Sequence, residues 1–500
     1  MDPVPRPSAP VPLLSRVVVV LLALGVAAYV VFLARNVASY AGGSDSSGYF
    51  NSARLLVHGE FFATPRLPEG TAPTEFGLMA FQPLGFIMDA NAPRMAPTYP
   101  TGLPLHLLLA ARFTGWRYAA TLVNIAATLA AGWLMWLLAR RLALPRWWAC
   151  AGVALLWLCP VYLFTVLQPM SDLLALLWSL AVLYAVLRAR DHRPWALAGG
   201  AALALAVLVR PTDLLLVLPV VLALGRDWRS YLLFGLGGLP GAAFFAYYNR
   251  QVYGSPLATG YGEIWTAFSV AYVPHNLAHM ARWLPVLLTP LVGAALAVPF
   301  LRAARNRASA VLGTWAVILT GFYAFYYHTG ETWWYLRFIL PAFPVLILLA
   351  LFALRALLER LPPGPAWLAP AAALGLLAFA VGWNVRQDRL LEVAEIPRGE
   401  RFYLDTAEWA KARLPPGAAV FCMQVSGALF YYTDLQLVRW DQVQADRVAA
   451  LLARLQAQHR PTYAALYDFE EADFRSRIGG HWERLATVGN TTFWKLSAGP

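Results

Sequence analysis

Residues 17–34 read VVVVLLALGVAAYVVFLA, a run without a single charge that directly follows Arg16. A run of this length is enough to cross the hydrocarbon core of a bilayer as a helix. No clean cleavage pattern of small residues follows it, so we expect it to stay as a membrane anchor rather than to be removed as a signal peptide. The stretch therefore predicts an integral membrane protein.

Composition extends this prediction to most of the chain. Of its 500 residues, 59% are hydrophobic and 13% are charged, and the mean hydropathy is +0.53, which excludes an ordinary soluble protein. Further apolar segments follow the first one. The predicted crossings are 17–34, 118–138, 147–166, 172–189, 195–209, 212–225, 231–248, 284–301, 309–327, 337–354 and 366–385. The short segments 195–209 and 212–225 predict a hairpin with Arg210 at its outer tip.

The net charge of +12 is concentrated in alternate gaps between the apolar segments. These gaps hold only four acidic residues, and their arginines are Arg6, Arg16, Arg140, Arg141, Arg146, Arg188, Arg190, Arg193, Arg226, Arg229, Arg302, Arg305, Arg307, Arg355 and Arg360. Such alternation marks the cytoplasmic side of a membrane protein. It predicts a cytoplasmic N-terminus, an outer tail and a functional site on the outer face. Because membrane topology accounts for the positive charge, the charge does not indicate a nucleic-acid ligand.

The first outer loop, residues 35–117, contains the stretch in which we expect a catalytic residue. Residues 41–60 read AGGSDSSGYFNSARLLVHGE and place Asp45 about ten residues beyond the first crossing, followed by Tyr49 and Arg54. A carboxylate held at the membrane surface can serve as a general base. The alternative is that Asp45 and the next serine only cap a surface helix through 46–58.

Other outer stretches supply polar and aromatic candidates. Tyr99 lies in the turn-rich run 97–102 of the first loop, before an apolar stretch, 103–113, that we expect to lie at the membrane interface. Tyr261 lies in the outer loop 249–283, and the outer stretch 328–337 contains Glu331, three aromatic residues and Arg337. We therefore expect these residues to line an outer cleft.

Four charged residues lie at or near the outer ends of crossings. Asp172 opens the fourth crossing; it either interacts with the helix dipole there, next to a capping Ser171, or acts with Asp45 as a catalytic or metal-binding carboxylate. Arg210 and Arg337 either snorkel to the headgroups or bind a phosphate with the guanidinium fork. Asp213 is expected to cap the helix that follows Pro211.

The tail, residues 386–500, is charged, amphipathic and close to neutral overall. Its patterns predict helices at 406–413 and 446–457 and strands at 418–424 and 462–467. We expect a small extracytoplasmic α/β domain beside a membrane domain formed by residues 1–385. The three cysteines show no metal-binding or disulfide spacing.

The order of these motifs resembles integral-membrane glycosyltransferases of the GT-C class, especially the group that joins protein O-mannosyltransferases with lipid A aminoarabinose transferases. The matching pieces run through residues 17–345. They are Asp45 with Tyr49, Ala53 and Gly59, then 99–104 (YPTGLP), 171–172 (SD), 209–212 (VRPT), 248–249 (YN) with 254–256 (GSP) and 260–261 (GY), and 336–341 (LRFILP).

This resemblance implies an all-α multi-span bundle of about eleven helices and a polyprenyl-phosphate sugar donor. It also implies that Asp45 is the base of the first loop, that Asp172 is the acid at the fourth helix, and that Arg210 and Arg337 contact the donor phosphate. The family often has paired acids in the first loop, whereas Ser46 follows Asp45 here. Whether a divalent metal binds at Asp45 and Asp172 therefore stays open.

The expected function is transfer of a sugar to a lipid, glycan or protein acceptor at the outer face of a bacterial inner membrane. A transporter or flippase for lipid-linked saccharides is the main alternative, and a non-catalytic assembly partner is a third. Transporters tend to contain repeated halves and polar residues at the membrane midplane. This chain shows no internal repeat, and its polar candidates cluster towards one face, which favours the enzyme.

Overall fold

The computed structural model of the protein describes residues 13–360, 365 and 367–497; the predicted cytoplasmic stretch with Arg6 lies outside them. Its α-helices are α1 (Leu13–Asn36), α2 (Ser44–Val57), α3 (Gly102–Thr114), α4 (Ala119–Arg141), α5 (Arg146–Trp157), α6 (Pro160–Val166), α7 (Asp172–Ala189), α8 (Trp195–Val209), α9 (Val217–Leu224), α10 (Trp228–Tyr253), α11 (Val273–Leu287), α12 (Arg307–Ala324), α13 (Phe343–Leu358), α14 (Leu368–Leu390), α15 (Ile396–Arg413), α16 (Ser426–Tyr432), α17 (Val448–Ala457) and α18 (Asp468–Arg477). Its strands are β1 (Phe86–Met88), β2 (Met95–Pro97), β3 (Ala419–Cys422), β4 (Gln436–Arg439), β5 (Thr462–Tyr467), β6 (His481–Val488) and β7 (Thr491–Ser497).

The membrane bundle is mostly helical, as expected, and every predicted apolar segment coincides with helical structure. By length and composition, five helices in the described ranges can cross a membrane, or up to seven if each of two bent pairs counts as one span. The helix α7 lies at the centre of the bundle, since 78% of it is buried, whereas only 6% of the apolar windows of α1 and α10 is buried. The apolar residues of α1 and α10 therefore form the surface that faces lipid.

Two predicted crossings are not straight helices. The segment 284–301 is wrong as a single span, because α11 ends at Leu287 and a 3₁₀ helix, Pro290–Phe300, continues at an angle of 112°. The segment 147–166 bends by 64° between α5 and α6. A proline opens the second half of each pair, where its ring and missing N–H interrupt the helical hydrogen bonds.

The C-terminal α/β domain is built on a five-stranded sheet in the order β4-β3-β5-β7-β6. The strand β3 pairs in parallel with β4 and β5, while β7 is antiparallel to β5 and β6. The predicted strand 462–467 coincides with β5, and the predicted strand 418–424 contains β3. The predicted helix 406–413 is the end of α15, and α17 occupies most of 446–457. The sheet prediction is thereby confirmed.

The first outer loop and the C-terminal domain share one apolar core. The loop contributes Phe76, Phe81, Phe86 and Met88, and the domain contributes Phe421, Val438, Trp440 and Phe474. Hydrogen bonds join the two parts as well, since the backbone N–H of Arg439 donates to the carbonyl oxygen of Ala80 over 2.7 Å. The tail thus packs together with much of the first loop, and the boundary proposed at residue 385 falls within α14, which continues to Leu390.

Candidate active site

The helix α2 presents Asp45 at the end of the membrane bundle. Gly43 is the residue that precedes the helix, and no side chain caps it; Asp45 lies in the first turn, and the residues 46–53 behind it are buried. The side chain of Asp45 is 27% exposed and forms an ion pair with Arg337. Asp45 is therefore not the N-cap of the surface helix but one member of a charged cluster.

This cluster consists of Asp45, Asp172, Arg210 and Arg337, and we call it the four-charge cluster. Nη2 of Arg337 lies 2.9 Å from Oδ2 of Asp45, and Nη1 of the same arginine lies 3.5 Å from Oδ2 of Asp172. Nη2 of Arg210 lies 2.5 Å from Oδ1 of Asp172, which is only 1% exposed. Buried charges of this kind are tolerated because they are paired, and removal of one partner is costly. The structure thus brings together the two carboxylates and the two arginines predicted from sequence.

Local backbone structure directs both arginines into the cluster. Arg210 ends α8 in an extended conformation, because the residue before a proline is disfavoured in the helical region. Arg337 lies in the 3₁₀ helix Trp333–Ala342, and the neighbouring Phe338 carbonyl oxygen accepts a hydrogen bond from Nη1 of Arg210 over 3.3 Å. Neither guanidinium extends to the headgroups: the side chains are 11% and 13% exposed.

Three tyrosines predicted from sequence line the same site. The hydroxyl of Tyr49 donates to Oγ of Ser171 over 3.0 Å, so this serine binds Tyr49 instead of capping α7. The ring centroids of Tyr49 and Tyr99 are 4.9 Å apart, and those of Tyr99 and Tyr261 are 6.3 Å apart. Gly48 makes this arrangement possible, because a Cβ atom there would lie 2.5 Å from the Tyr99 ring. The result is an aromatic wall beside Asp45.

The surroundings of Asp45 keep it ionised. Burial alone would raise its pKa, but the charge of Arg337, the hydrogen bonds from Tyr99 and Arg337 and the charge of Arg210 outweigh burial and lower the pKa below its ordinary value. In this arrangement Asp45 is a weak base because Arg337 holds its proton-accepting oxygen. Removal of Arg337 from Asp45 would raise the pKa and strengthen the base.

Glu400 is a site residue that sequence reasoning missed. It lies on α15, and its Oε2 atom accepts hydrogen bonds from Oγ of Ser46 over 3.0 Å and from the backbone N–H of Gly43 over 3.4 Å. A Cβ atom on Gly42 would lie 2.0 Å from that oxygen, so a larger residue there would require the Glu400 side chain to move. Burial raises the pKa of Glu400 above its ordinary value. Nothing in the local sequence of this amphipathic helix marks Glu400 as a neighbour of Asp45.

Two further residues near the cluster also differ from expectation. The carboxylate of Asp213 is fully buried and makes no hydrogen bond in the described residues, so it does not cap the following helix. Tyr323, which was not predicted, packs its ring parallel to Phe338 at 5.6 Å, and its hydroxyl is 2.9 Å from Oγ1 of Thr212. Both residues lie near Arg210.

Arg54 and Glu331 are not brought to the four-charge cluster. Arg54 follows Asp45 by nine residues, which places it on the opposite side of α2. There its Nη1 atom donates to the carbonyl oxygen of Tyr431 over 2.7 Å, and the guanidinium lies 3.5 Å above the Tyr431 ring. Glu331 is paired with Nδ1 of His328 at 2.8 Å, and its side chain is exposed. Arg54 thus attaches the C-terminal domain to α2.

A metal ion does not fit between the two carboxylates in this arrangement. In the ranges 13–360 and 367–497, no group of three or more His, Cys, Asp or Glu side chains is positioned to hold one. Asp172 directs both of its oxygens towards guanidinium groups, and Asp45 directs one of its oxygens towards Arg337. Both carboxylates are thus already paired with guanidinium groups.

Part of the sequence matches a known family. The sequence family described as Dolichyl-phosphate-mannose-protein mannosyltransferase matches residues 106–246, which include α7 and Arg210. No curated protein matches the chain at a significant level of sequence similarity.

Several solved structures have the same fold. ArnT from Cupriavidus metallidurans bound to undecaprenyl phosphate is 15% identical with a TM-score of 0.60, and the match covers 96% of this chain and 99% of ArnT. AglB from Archaeoglobus fulgidus, an oligosaccharyltransferase in complex with an inhibitory peptide and a dolichol-phosphate, is 12% identical with a TM-score of 0.54 over 90% of this chain and 69% of that chain. The arabinofuranosyltransferase AftD from Mycobacteria is 14% identical with a TM-score of 0.51, covering 96% and 40%.

The protein has the fold of the GT-C class of membrane glycosyltransferases. The resemblance predicted from the order of the sequence motifs is confirmed, and so is the all-α membrane bundle with a small C-terminal sheet domain.

Proposed function

We propose that the protein transfers a sugar from a polyprenyl-phosphate donor to an acceptor at the outer face of a bacterial plasma membrane. The observation that carries this proposal is the four-charge cluster at one end of the membrane bundle, where Arg337 bridges Asp45 and Asp172 and Arg210 pairs with Asp172. The class of donor follows from what this cluster can bind, and the side of the membrane follows from the arginine-rich gaps.

The arginines are the proposed donor-phosphate contacts. A guanidinium binds a phosphate with two parallel hydrogen bonds, and such charge-assisted bonds are stronger than neutral ones. The similar structures of ArnT and AglB contain undecaprenyl phosphate and dolichol-phosphate respectively, which supports the same class of ligand here. The polyprenyl chain would leave sideways along the lipid-facing helices, while Tyr49, Tyr99 and Tyr261 contact the sugar.

Asp45 is the proposed general base. When the donor phosphate takes the N–H groups of Arg337, Asp45 loses its ion pair and becomes a stronger base. It then accepts the proton of the acceptor hydroxyl as the acceptor oxygen bonds to the anomeric carbon of the sugar. The bond from that carbon to the phosphate oxygen breaks with its electron pair, and Arg210 and Arg337 stabilise the polyprenyl phosphate that leaves.

Asp172 is proposed to position both arginines rather than to take the proton. It is almost completely buried, and its two oxygens face Arg210 and Arg337, so an acceptor cannot approach it as readily as the partly exposed Asp45. The acceptor would enter from the side of the first outer loop and the C-terminal domain. Lipid, glycan and protein acceptors all fit this route.

The substitution Asp45→Asn tests the proposed function. Loss of a positioned base typically costs about 100- to 10,000-fold in turnover, whereas donor binding should persist or tighten because Arg337 is released. Asp89→Asn is the matched control, because Asp89 lies in the same loop, is also paired with an arginine and has a similarly exposed side chain (24% against 27%).

The measurement is transfer of a radiolabelled sugar from polyprenyl phosphate to membrane acceptors by purified protein in lipid nanodiscs. Near-normal turnover of Asp45→Asn would remove Asp45 from the chemistry. Movement of intact donor across the bilayer without a transfer product would instead favour a transporter.

A further inference from the structure

The end of the bundle opposite the four-charge cluster contains a second charged site. A half-open cavity of about 890 Å³ is lined there by the ends of α7 and α9, the segment that precedes α8 and the beginnings of α10 and α12. Five arginines line it: Arg190, Arg193, Arg226, Arg229 and Arg307. The proposed reaction uses none of them, and we call the site the arginine pocket.

The positive charge of the arginine pocket is largely uncompensated. Its one acidic lining residue is Asp227, which pairs with Nε of Arg193 at 2.9 Å. Arg190 and Arg307 both donate to the same backbone carbonyl oxygen, that of Ala223, over 3.3 and 3.4 Å. The other two arginines of the pocket form no ion pair with any described residue. Guanidinium groups gathered around one cavity repel each other unless an anion lies between them.

The position of the arginine pocket is at a membrane boundary. The helix α7 begins in the four-charge cluster and ends at the pocket, and its 18 residues span about 27 Å, close to the thickness of the hydrocarbon core. Trp228 at the edge of the pocket is 66% exposed, and Leu232, one turn further along α10, is 56% exposed. Tryptophan prefers the interface and an exposed leucine beyond it faces lipid tails. An anion that enters here therefore comes into contact with apolar surface on one side.

We propose that the arginine pocket binds the headgroup of an anionic lipid that carries two phosphate groups, in the leaflet opposite the four-charge cluster. Arginine forks hold phosphate oxygens in pairs, and basic pockets between membrane helices bind such headgroups. The charge of four arginines without an ion-pair partner in the described part of the chain matches the charge of two phosphate groups better than that of one, and the cavity is large enough for both groups. The acyl chains lie against the exposed apolar side chains of α9 and α10.

The test compares two paired substitutions in the full-length protein. Arg190→Gln with Arg307→Gln removes two charges from the pocket, while Arg302→Gln with Arg305→Gln removes two exposed charges from the neighbouring segment outside it. Purified protein in detergent micelles is titrated with tetraoleoyl cardiolipin, dioleoyl phosphatidylglycerol and inorganic pyrophosphate, and bound molecules are counted by native mass spectrometry. Arg226→Gln is a third variant that breaks no hydrogen bond within the described residues.

The expected result is a loss of cardiolipin affinity of roughly 30-fold for the pocket pair, since each arginine near an anionic lipid is worth roughly fivefold. Arg226→Gln should lose roughly fivefold, and the control pair less than threefold. Equal losses for the two pairs would mean that the positive face attracts lipid without a pocket, and would overturn the proposal. Pyrophosphate binding as tight as that of cardiolipin would also overturn it, because the ligand would then be a soluble phosphate compound.

Discussion

Replacement of Arg210 by alanine separates the structural role of the four-charge cluster from its proposed role in donor binding. The substitution removes the hydrogen bonds to Asp172 and to the carbonyl oxygen of Phe338. Asp172, which is 1% exposed, keeps only Arg337 at 3.5 Å. Arg210→Ala therefore leaves a buried carboxylate poorly compensated and, at the same time, deprives the donor phosphate of one guanidinium.

The cost in stability follows from the burial of Asp172. Removal of one partner from a buried ion pair costs about 3–5 kcal/mol when the remaining charge is left alone. Because Arg337 stays within reach, we expect Arg210→Ala to lower the free energy of unfolding by about 2–3 kcal/mol. The double substitution Asp172→Asn with Arg210→Gln removes both charges and should recover most of this loss.

The cost in donor affinity follows from the lost fork. Hydrogen bonds to a charged group contribute about 1.5–3 kcal/mol, and every 1.4 kcal/mol is about tenfold in affinity. Arg210→Ala should therefore weaken donor binding by about 10- to 100-fold, with little change in acceptor binding. Arg210→Lys should recover part of this affinity, because lysine supplies the charge without the planar pair of donors.

The assay is donor affinity of each purified variant in lipid nanodiscs, together with its thermal unfolding. The double variant decides the interpretation, because it should regain stability without regaining donor affinity. If the double variant binds the donor as well as the unmodified protein does, then Arg210 serves only to neutralise Asp172, and the reasoning about the phosphate is refuted. Equal donor affinity for Arg210→Ala and the unmodified protein would refute it equally.

Two more predictions concern the link to the C-terminal domain and the membrane topology. Burial raises the pKa of Glu400 above its ordinary value, so ionisation of Glu400 destabilises the folded protein. The protein keeps its full stability at low pH, where Glu400 is protonated, and loses part of it as the pH rises through the folded-state pKa. Glu400→Gln should therefore raise the melting temperature at pH 8 and leave it nearly unchanged at pH 4; no difference at either pH would contradict this. Reporter fusions after Arg193 and after Arg389 should show a cytoplasmic and an outer location respectively, because the arginine-rich gaps mark the cytoplasmic side; a cytoplasmic tail would reverse the proposed sidedness of the site.

The membrane helices could be predicted because their signal is local. A run of apolar residues forms a helix in lipid whatever its neighbours are, since its backbone hydrogen bonds are satisfied within the segment. Each predicted crossing is therefore found as helical structure, and the strand predicted at 462–467 is found as β5. The helix break at Thr289 was not predicted, because the surrounding residues are apolar on both sides and only the packing of the two halves decides the angle.

The four-charge cluster could be predicted as a set of residues but not as a set of contacts. The ordered motifs indicated Asp45, Asp172, Arg210 and Arg337, yet Asp45 and Arg337 are 292 positions apart, and no local pattern specifies that they pair. The stretch 41–60 also indicated Arg54, which helical geometry turns to the other side of α2.

The sequence by itself determined the membrane helices, the positively charged face and the kinds of side chain that lie near one end of the bundle. Hydropathy and charge are properties of individual residues, so they can be taken directly from the sequence. Only the tertiary structure decided which carboxylate each arginine holds, that Glu400 of α15 reaches the first turn of α2, and that the first outer loop shares its core with the C-terminal domain. Apart from the pair of Asp172 and Arg210, which are 38 positions apart, these contacts join segments that are distant in the sequence. They arise from packing against neighbours that the local sequence does not contain.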